Sequence, residues 1–210
     1  MSKIEDNKKE FISIAKTITR EGVDSLLDWL ETTDFYTAPA SYKYHSSFEG
    51  GLCQHSLNVY RNMIKLKEQF CPQIPDETCK IVALFHDVAK VNFYEKTVKN
   101  TKVYSPTGSK SDEMGRFDWV AVAGYSVIPE DKRDFVCHIH AVNSYILINK
   151  HMKLTMAEVA AITNHHFGAD DYFAVKDISE VVNRYPAAGL LHMADFLATY
   201  INENPYMINE

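Results

Sequence analysis

Nowhere in its 210 residues does the chain run apolar for the length a bilayer requires, and its opening, Met1 to Asp6, is not that of a signal peptide. A soluble, cytoplasmic protein with no membrane partner is expected. Cysteine is sparse: Cys53, Cys71, Cys79 and Cys137 show neither CxxC spacing nor the density of a disulfide scaffold, so free thiols in a reducing compartment are expected. Basic residues are in the minority, 22 against 28 acidic ones, and the resulting net charge of -6 argues against an extended nucleic-acid footprint. Two bound divalent ions would reverse that sign locally inside a cleft, so a small anionic substrate stays open. Internal repeats, low-complexity tracts and long linkers are missing. One domain over 1–210 is therefore expected, with packing helices in 1–33 and the remainder in 34–210.

What is present is a set of polar residues on apolar helical stripes. Phe11, Ile14, Ala15 and Ile18, then Val23, Leu26, Leu27 and Leu30, predict two helices meeting near Gly22. Leu52 to Phe70 predicts a third, closed by Pro72 and Pro75, with His55 on its apolar face. Asp76 reads as the N-cap of a fourth, which ends Ile81-Val-Ala-Leu-Phe-His86-Asp87-Val-Ala-Lys90. Burying an ionised carboxylate alone is very costly, so a metal is the natural partner of His86-Asp87, and Lys90 one turn on can offer charge to a phosphate. His45 falls in a loop rich in aromatics, Tyr42 and Tyr44 among them.

From about 92 to 127 the pattern turns to two short strands flanking a polar loop, a β-hairpin inserted between helices, with Trp119 and Tyr125 either a flap over a site or attached to the core. A helix from Asp134 to near Met152 carries His138 and His140; Thr155-Met-Ala-Glu158 is a capping box for the next, which leads to His165-His166. Gly168 to Tyr172 breaks it, a short helix covers 176–183, and Pro186 opens an apolar helix in which Asp195 asks for a cation. The expectation is an all-α bundle with one small β excursion.

His55, His86-Asp87, His140, His165-His166 and Asp195 together resemble the HD-domain metal-dependent phosphohydrolase superfamily, in which a His, a His-Asp and a distal Asp lie on successive helices. The texture is similar to its His-rich branch, which includes HD-type phosphodiesterases and the HD domain of bacterial 3'-5' exoribonucleases: Gly50-Gly51-Leu52 precedes His55, Lys90 follows His86-Asp87, and Ala161-Ile162-Thr-Asn leads to His165. Phe167-Gly168-Ala169 stands where cyclic-dinucleotide hydrolases carry Gly-Tyr-Pro, and His45 is followed by Ser46 rather than a second histidine.

The resemblance implies two divalent ions, Mn or Fe first, with Mg, Ni, Co or Zn as further options. One would be held by His55, His86, Asp87 and Asp195, the other by His140 and His165, with or without His166, and Asp87 would bridge them. The implied activity is hydrolysis of a nucleotide or related small phosphate by a metal-activated water, with Asp87 and Lys90 catalytic and Lys90 and His45 binding substrate. The readings set beside it are a 3'-end exonuclease on short single-stranded nucleic acid and a non-catalytic metal- or nucleotide-binding sensor module. The carboxylate-rich ion should bind more tightly, and mild acid should empty the imidazole-rich site first.

Overall fold

A computed structural model of the chain describes residues 2–133, 139–167 and 175–203. Its helices are α1 (Lys3–Ala15), α2 (Val23–Glu31), α3 (Gly51–Phe70), α4 (Asp76–Phe85), α5 (His140–Asn149), α6 (Met156–Thr163), α7 (Val175–Arg184) and α8 (Pro186–Leu197), with strands β1 (Tyr94–Tyr104), β2 (Lys110–Asp112) and β3 (Gly115–Val127) between α4 and α5. Among the described residues no helix is long and apolar enough to cross a membrane.

Both N-terminal helices form, but α1 stops at Ala15, so Ile18 joins the core from the turn that follows it; the apolar faces form one cluster with Leu52, Phe85 and Leu191. The Phe11 ring sits 5.0 Å from Phe35 and 5.7 Å from Phe85. Each such fully buried side chain contributes about 1.5–3 kcal/mol of hydrophobic stabilisation. The long α3 runs through the middle, packed on α1, α4 and α8. Its start needs two glycines for different reasons. Gly50 takes a left-handed φ of 81°, while a Cβ on Gly51 would collide with the Ser46 carbonyl oxygen. The loop before α3 is thereby held against the helix that carries His55.

Helix α4 corrects one reading. Pro75, not Asp76, occupies the N-cap position, and Asp76 is the first helical residue. There its carboxylate accepts from Lys67 Nζ at 2.7 Å while facing the positive end of the helix dipole.

The β excursion is larger than two short strands. β1 and β3 pair antiparallel along their whole length, from Tyr94↔Val127 to Tyr104↔Phe117, and β2 adds a third strand in the order β1-β3-β2. Alternation understates the strands because neither face of the ribbon is covered: Val98, Val103, Val120 and Val122 are all exposed. Trp119 neither caps the site nor anchors to the core. It is half exposed and packs edge-on against Phe117 within the ribbon at 5.9 Å, with Lys102 above both rings.

α5 is described from His140; the expected stretch 134–138 with His138, and the break over 168–172, lie outside the described residues. The capping box of α6 forms, Thr155 Oγ1 accepting from Glu158 N–H while the Glu158 carboxylate accepts from Thr155 N–H at 2.7 Å. Pro186 opens α8, which runs into a π-helical turn, Ala198–Asn202.

Candidate metal centre

The expected site residues converge, but chiefly from helix ends. His55 lies within α3 and Asp195 within α8, whereas His86 is the residue after α4, Asp87 follows it, His140 begins α5, and His165 and His166 lie just past α6. A helix end leaves its last carbonyls without backbone partners. Here two of them orient histidines: His86 Nδ1 donates to Ala83 O at 3.0 Å, and His165 Nδ1 donates to Ile162 O at 2.6 Å. Each ring reaches back three residues, so each is held in the tautomer whose Nε2 lone pair faces the site. Ser144 Oγ in α5 accepts from Ala89 N–H at 3.1 Å and fixes α5 against the turn after Asp87.

Asp87 is central. Its Oδ1 lies 3.3 Å from His140 Nε2 and 3.5 Å from His165 Nε2; its Oδ2 lies 3.5 Å from His86 Nε2 and 3.7 Å from His55 Nε2. His55 Nε2 is also 3.1 Å from Asp195 Oδ1, and His166 Nδ1 is 4.0 Å from Asp195 Oδ2. Among the described residues three groups of donor atoms result, each within 4.8 Å of one another: His55, His86 and Asp195 in one, Asp87, His140, His165 and His166 in the second, and His45, His55 and Glu203 in the third. His55, His86, Asp87, His165 and Asp195 are buried. Despite the short separations, His55 Nε2, His86 Nε2, His140 Nε2, His165 Nε2 and Asp87 Oδ1 are buried with no hydrogen bond. Buried polar atoms in that condition are uncommon, and a convergent set of imidazole lone pairs and carboxylate oxygens fits a divalent transition metal.

The field in the site is divided. Burial raises the Asp87 carboxyl, yet Lys90 and the surrounding histidines outweigh it and hold the group well below the usual range. Asp195 behaves likewise through His55. Burial pushes His86 down to about 3 and His166 down to about 2, and lowers His140, so these rings are neutral. His55 differs. Burial opposes its charge, but Glu203 and then Asp195 push it up to about 10.

Lys90 follows the turn, its Nζ donating to Asp87 Oδ2 at 2.6 Å. His45 lies on the loop before α3 with its ring 4.8 Å from that of His55, and its Nε2 is buried without a hydrogen bond. Sequence reasoning missed Glu203. Its carboxylate accepts from His55 Nδ1 at 3.0 Å, Ser46 Oγ at 2.7 Å and Asn58 Nδ2 at 3.0 Å. It lies eight residues beyond Asp195, and the π-helical turn before it, tied to α3 by Asn62 Nδ2 donating to Asn202 Oδ1, brings it to His55. On the other flank, a cavity of about 260 Å³ lined by Val142, Thr163, Asn164 and Phe167 opens against His166.

A family model described as HD domain matches residues 52–195, from the first turn of α3 to Asp195. No curated protein and no solved structure gives a significant match to the chain.

Proposed function

The chain belongs to the HD domain family, a metal-dependent phosphohydrolase superfamily, and on that premise we propose that it hydrolyses a phosphoester of a nucleotide or similar small phosphate compound. The observation that carries the reading is the convergence of four unpartnered imidazole Nε2 atoms on the carboxylates of Asp87 and Asp195. In this proposal His55, His86, Asp87 and Asp195 would hold one divalent ion and His140 and His165, with or without His166, a second; Asp87 stands between the two sets, its oxygens facing different histidines. Bound divalent cations supply Lewis acidity, which acidifies a water and draws charge from phosphate oxygens.

The chain's own groups do the rest. Glu203 and the carbonyls of Ala83 and Ile162 fix the ligand rings, so little reorganisation accompanies binding. Lys90, partly buried beside Asp87, keeps its ammonium charged: burial works against the charge and the Asp87 carboxylate outweighs it. A phosphate oxygen entering beside Asp87 takes the same charge-assisted hydrogen bond, so Lys90 stabilises the extra negative charge of the pentacoordinate phosphate. His45, its ring 4.8 Å from that of His55, would be the substrate contact on the loop before α3.

Manganese titration of the metal-stripped protein, followed by assay against mononucleotides, cyclic nucleotides and short oligonucleotides, tests this. Two ions per chain and turnover on at least one nucleotide are expected. Asp87→Asn should lose metal and turnover together, whereas Lys90→Ala should keep its metal and lose about 10²–10³-fold in turnover. Equal metal loss in both variants would show that the two roles are wrongly assigned.

A further inference from the structure

The loop that brings His45 to His55 also builds a surface that the metal centre leaves unused. Ser41 Oγ accepts from Tyr44 N–H at 2.8 Å and donates to His45 O at 2.8 Å, and Ala40 N–H donates to Ser46 O at 3.1 Å, so residues 40–46 form a tight, pinned turn. Within it, neighbouring side chains differ in exposure. His45 goes inward to His55, while Tyr44, its immediate neighbour about 3.8 Å away along the backbone, is 70% exposed. Tyr42 packs edge-on to Tyr44 with ring centroids 6.2 Å apart. Lysines crowd this pair: Lys99, at the base of the ribbon, lies 4.9 Å over the Tyr42 ring and donates to Tyr42 O at 3.0 Å, and Lys43 lies 5.7 Å over Tyr44.

An exposed pair of aromatic rings among lysines, on a chain whose net charge is -6, is a local reversal of the protein's electrostatics. It begins one residue from His45, whose ring lies against His55. Tyr94 connects the two places, since Lys90 and Asp87 act on its hydroxyl electrostatically and so does Tyr42. We infer that Tyr42 and Tyr44, with Lys43 and Lys99, form a shelf that stacks the base of a nucleotide whose phosphate lies at the metal centre. The substrate class is thereby a nucleotide rather than an aliphatic phosphoester. This deepens the phosphohydrolase reading and rests on it. Stacking on an aromatic ring tolerates any base, so the shelf selects for the presence of a base more than for its identity.

The test compares equilibrium binding of AMP and of inorganic phosphate to the manganese-loaded protein by calorimetry, with sedimentation run in parallel. AMP should bind more tightly than phosphate, Tyr44→Ala should reduce that advantage about 5- to 150-fold, and Tyr44→Trp should restore it. Met114→Ala, a change at the exposed ribbon tip, serves as a control and should leave the ratio as it is. If the AMP advantage survives Tyr44→Ala combined with Tyr42→Ala, the shelf is refuted while the phosphohydrolase reading stands, because phosphate still binds. If instead Tyr44→Ala alters the sedimenting mass and not the AMP-to-phosphate ratio, the surface is a contact between copies and the inference fails. Absence of binding by both ligands in the unaltered protein would remove the phosphohydrolase reading itself.

Discussion

His55 has a carboxylate on each side, and the two sides make different demands. Through Nδ1 it is held by Glu203, and through Nε2 it faces Asp195 and Asp87. Burial opposes its charge, but Glu203 and then Asp195 push its pKa up to about 10, so His55 holds a proton more firmly than a free imidazole does. Because that value is raised above the unfolded pKa of about 6.5, its contribution to stability is complete below about pH 6.5 and is lost as pH rises toward 10. An imidazolium cannot ligate, so an ion entering beside His55 must displace a proton. His86, His140 and His166, all lowered, present no such competition. Beside the expectation that mild acid empties the His140 and His165 site first stands a second one, that the proton competes at His55. Manganese uptake at pH 7 should release about one proton per ion bound there, measurable by calorimetry in buffers of different ionisation enthalpy. Glu203→Gln should reduce the release and weaken that ion about 10- to 100-fold. Uptake that releases no proton in the unaltered protein would overturn this account of His55.

At the scale of elements, most of the proposed ligands come from places where helices start or stop, His55 and Asp195 lying within theirs. His86 and His165 each turn an unsatisfied helix-end carbonyl into an orienting bond, so the end of α4 and the end of α6 define the site more than their lengths do. The ribbon shows the opposite case. Its base touches the loop before α3 through Lys99 and Lys96, the latter 3.2 Å from Glu49, but its distal part carries exposed Val103, Met114, Trp119 and Val120. Of the ribbon's apolar residues only Phe117 is buried, and its ring contacts are Tyr104 and Trp119, within the ribbon itself. Replacing residues 101–120 by a two-residue turn should leave manganese content unchanged and shift the melting temperature by less than about 3 °C, since little apolar area is lost from the core. Loss of metal in that variant, measured by elemental analysis, would mean that the distal ribbon supports the centre.

For the whole molecule, Arg20 connects the N-terminal region to the starts of α4 and α6, the two helices whose far ends carry His86 and His165. Its guanidinium donates to both Glu158 oxygens, at 3.0 and 3.2 Å, and to Glu77 Oε2 at 3.3 Å, while Thr78 Oγ1 donates to Glu158 Oε1 at 3.1 Å. Glu77 and Thr78 begin α4, and Glu158 lies in the first turn of α6, so one cation spaces the two helices that end at His86 and His165. Glu158 is fully buried, and Arg20→Met would leave it without its cation. Because Arg20 itself is about a quarter exposed, the cost should fall at the low end for a broken buried pair, about 3 kcal/mol. Thermal unfolding should show a drop of about 6–12 °C. A shift within error would mean that water replaces the guanidinium at Glu158.

The helices, the interruption after Lys90 and the membership of the His-Asp set were legible in the chain because each rests on local pattern: apolar residues at helical spacing, and charged residues on faces that must be buried. Asp195 in an apolar helix announces a partner without naming it. Partners themselves came only with tertiary structure, since His55 and Glu203 are 148 residues apart and Arg20 and Glu158 are 138 apart, separations over which no periodicity carries information. Glu158 is the sharpest instance: its capping box is written in four consecutive residues, while its burial and its ion pair depend on a loop at the other end of the chain. Ribbon length was obscured for a related physical reason. Alternation records which face is buried, and a ribbon exposed on both faces has no buried side to record. So the chain itself specifies which residues must find cations, and the fold specifies which oxygen of Asp87 faces which histidine.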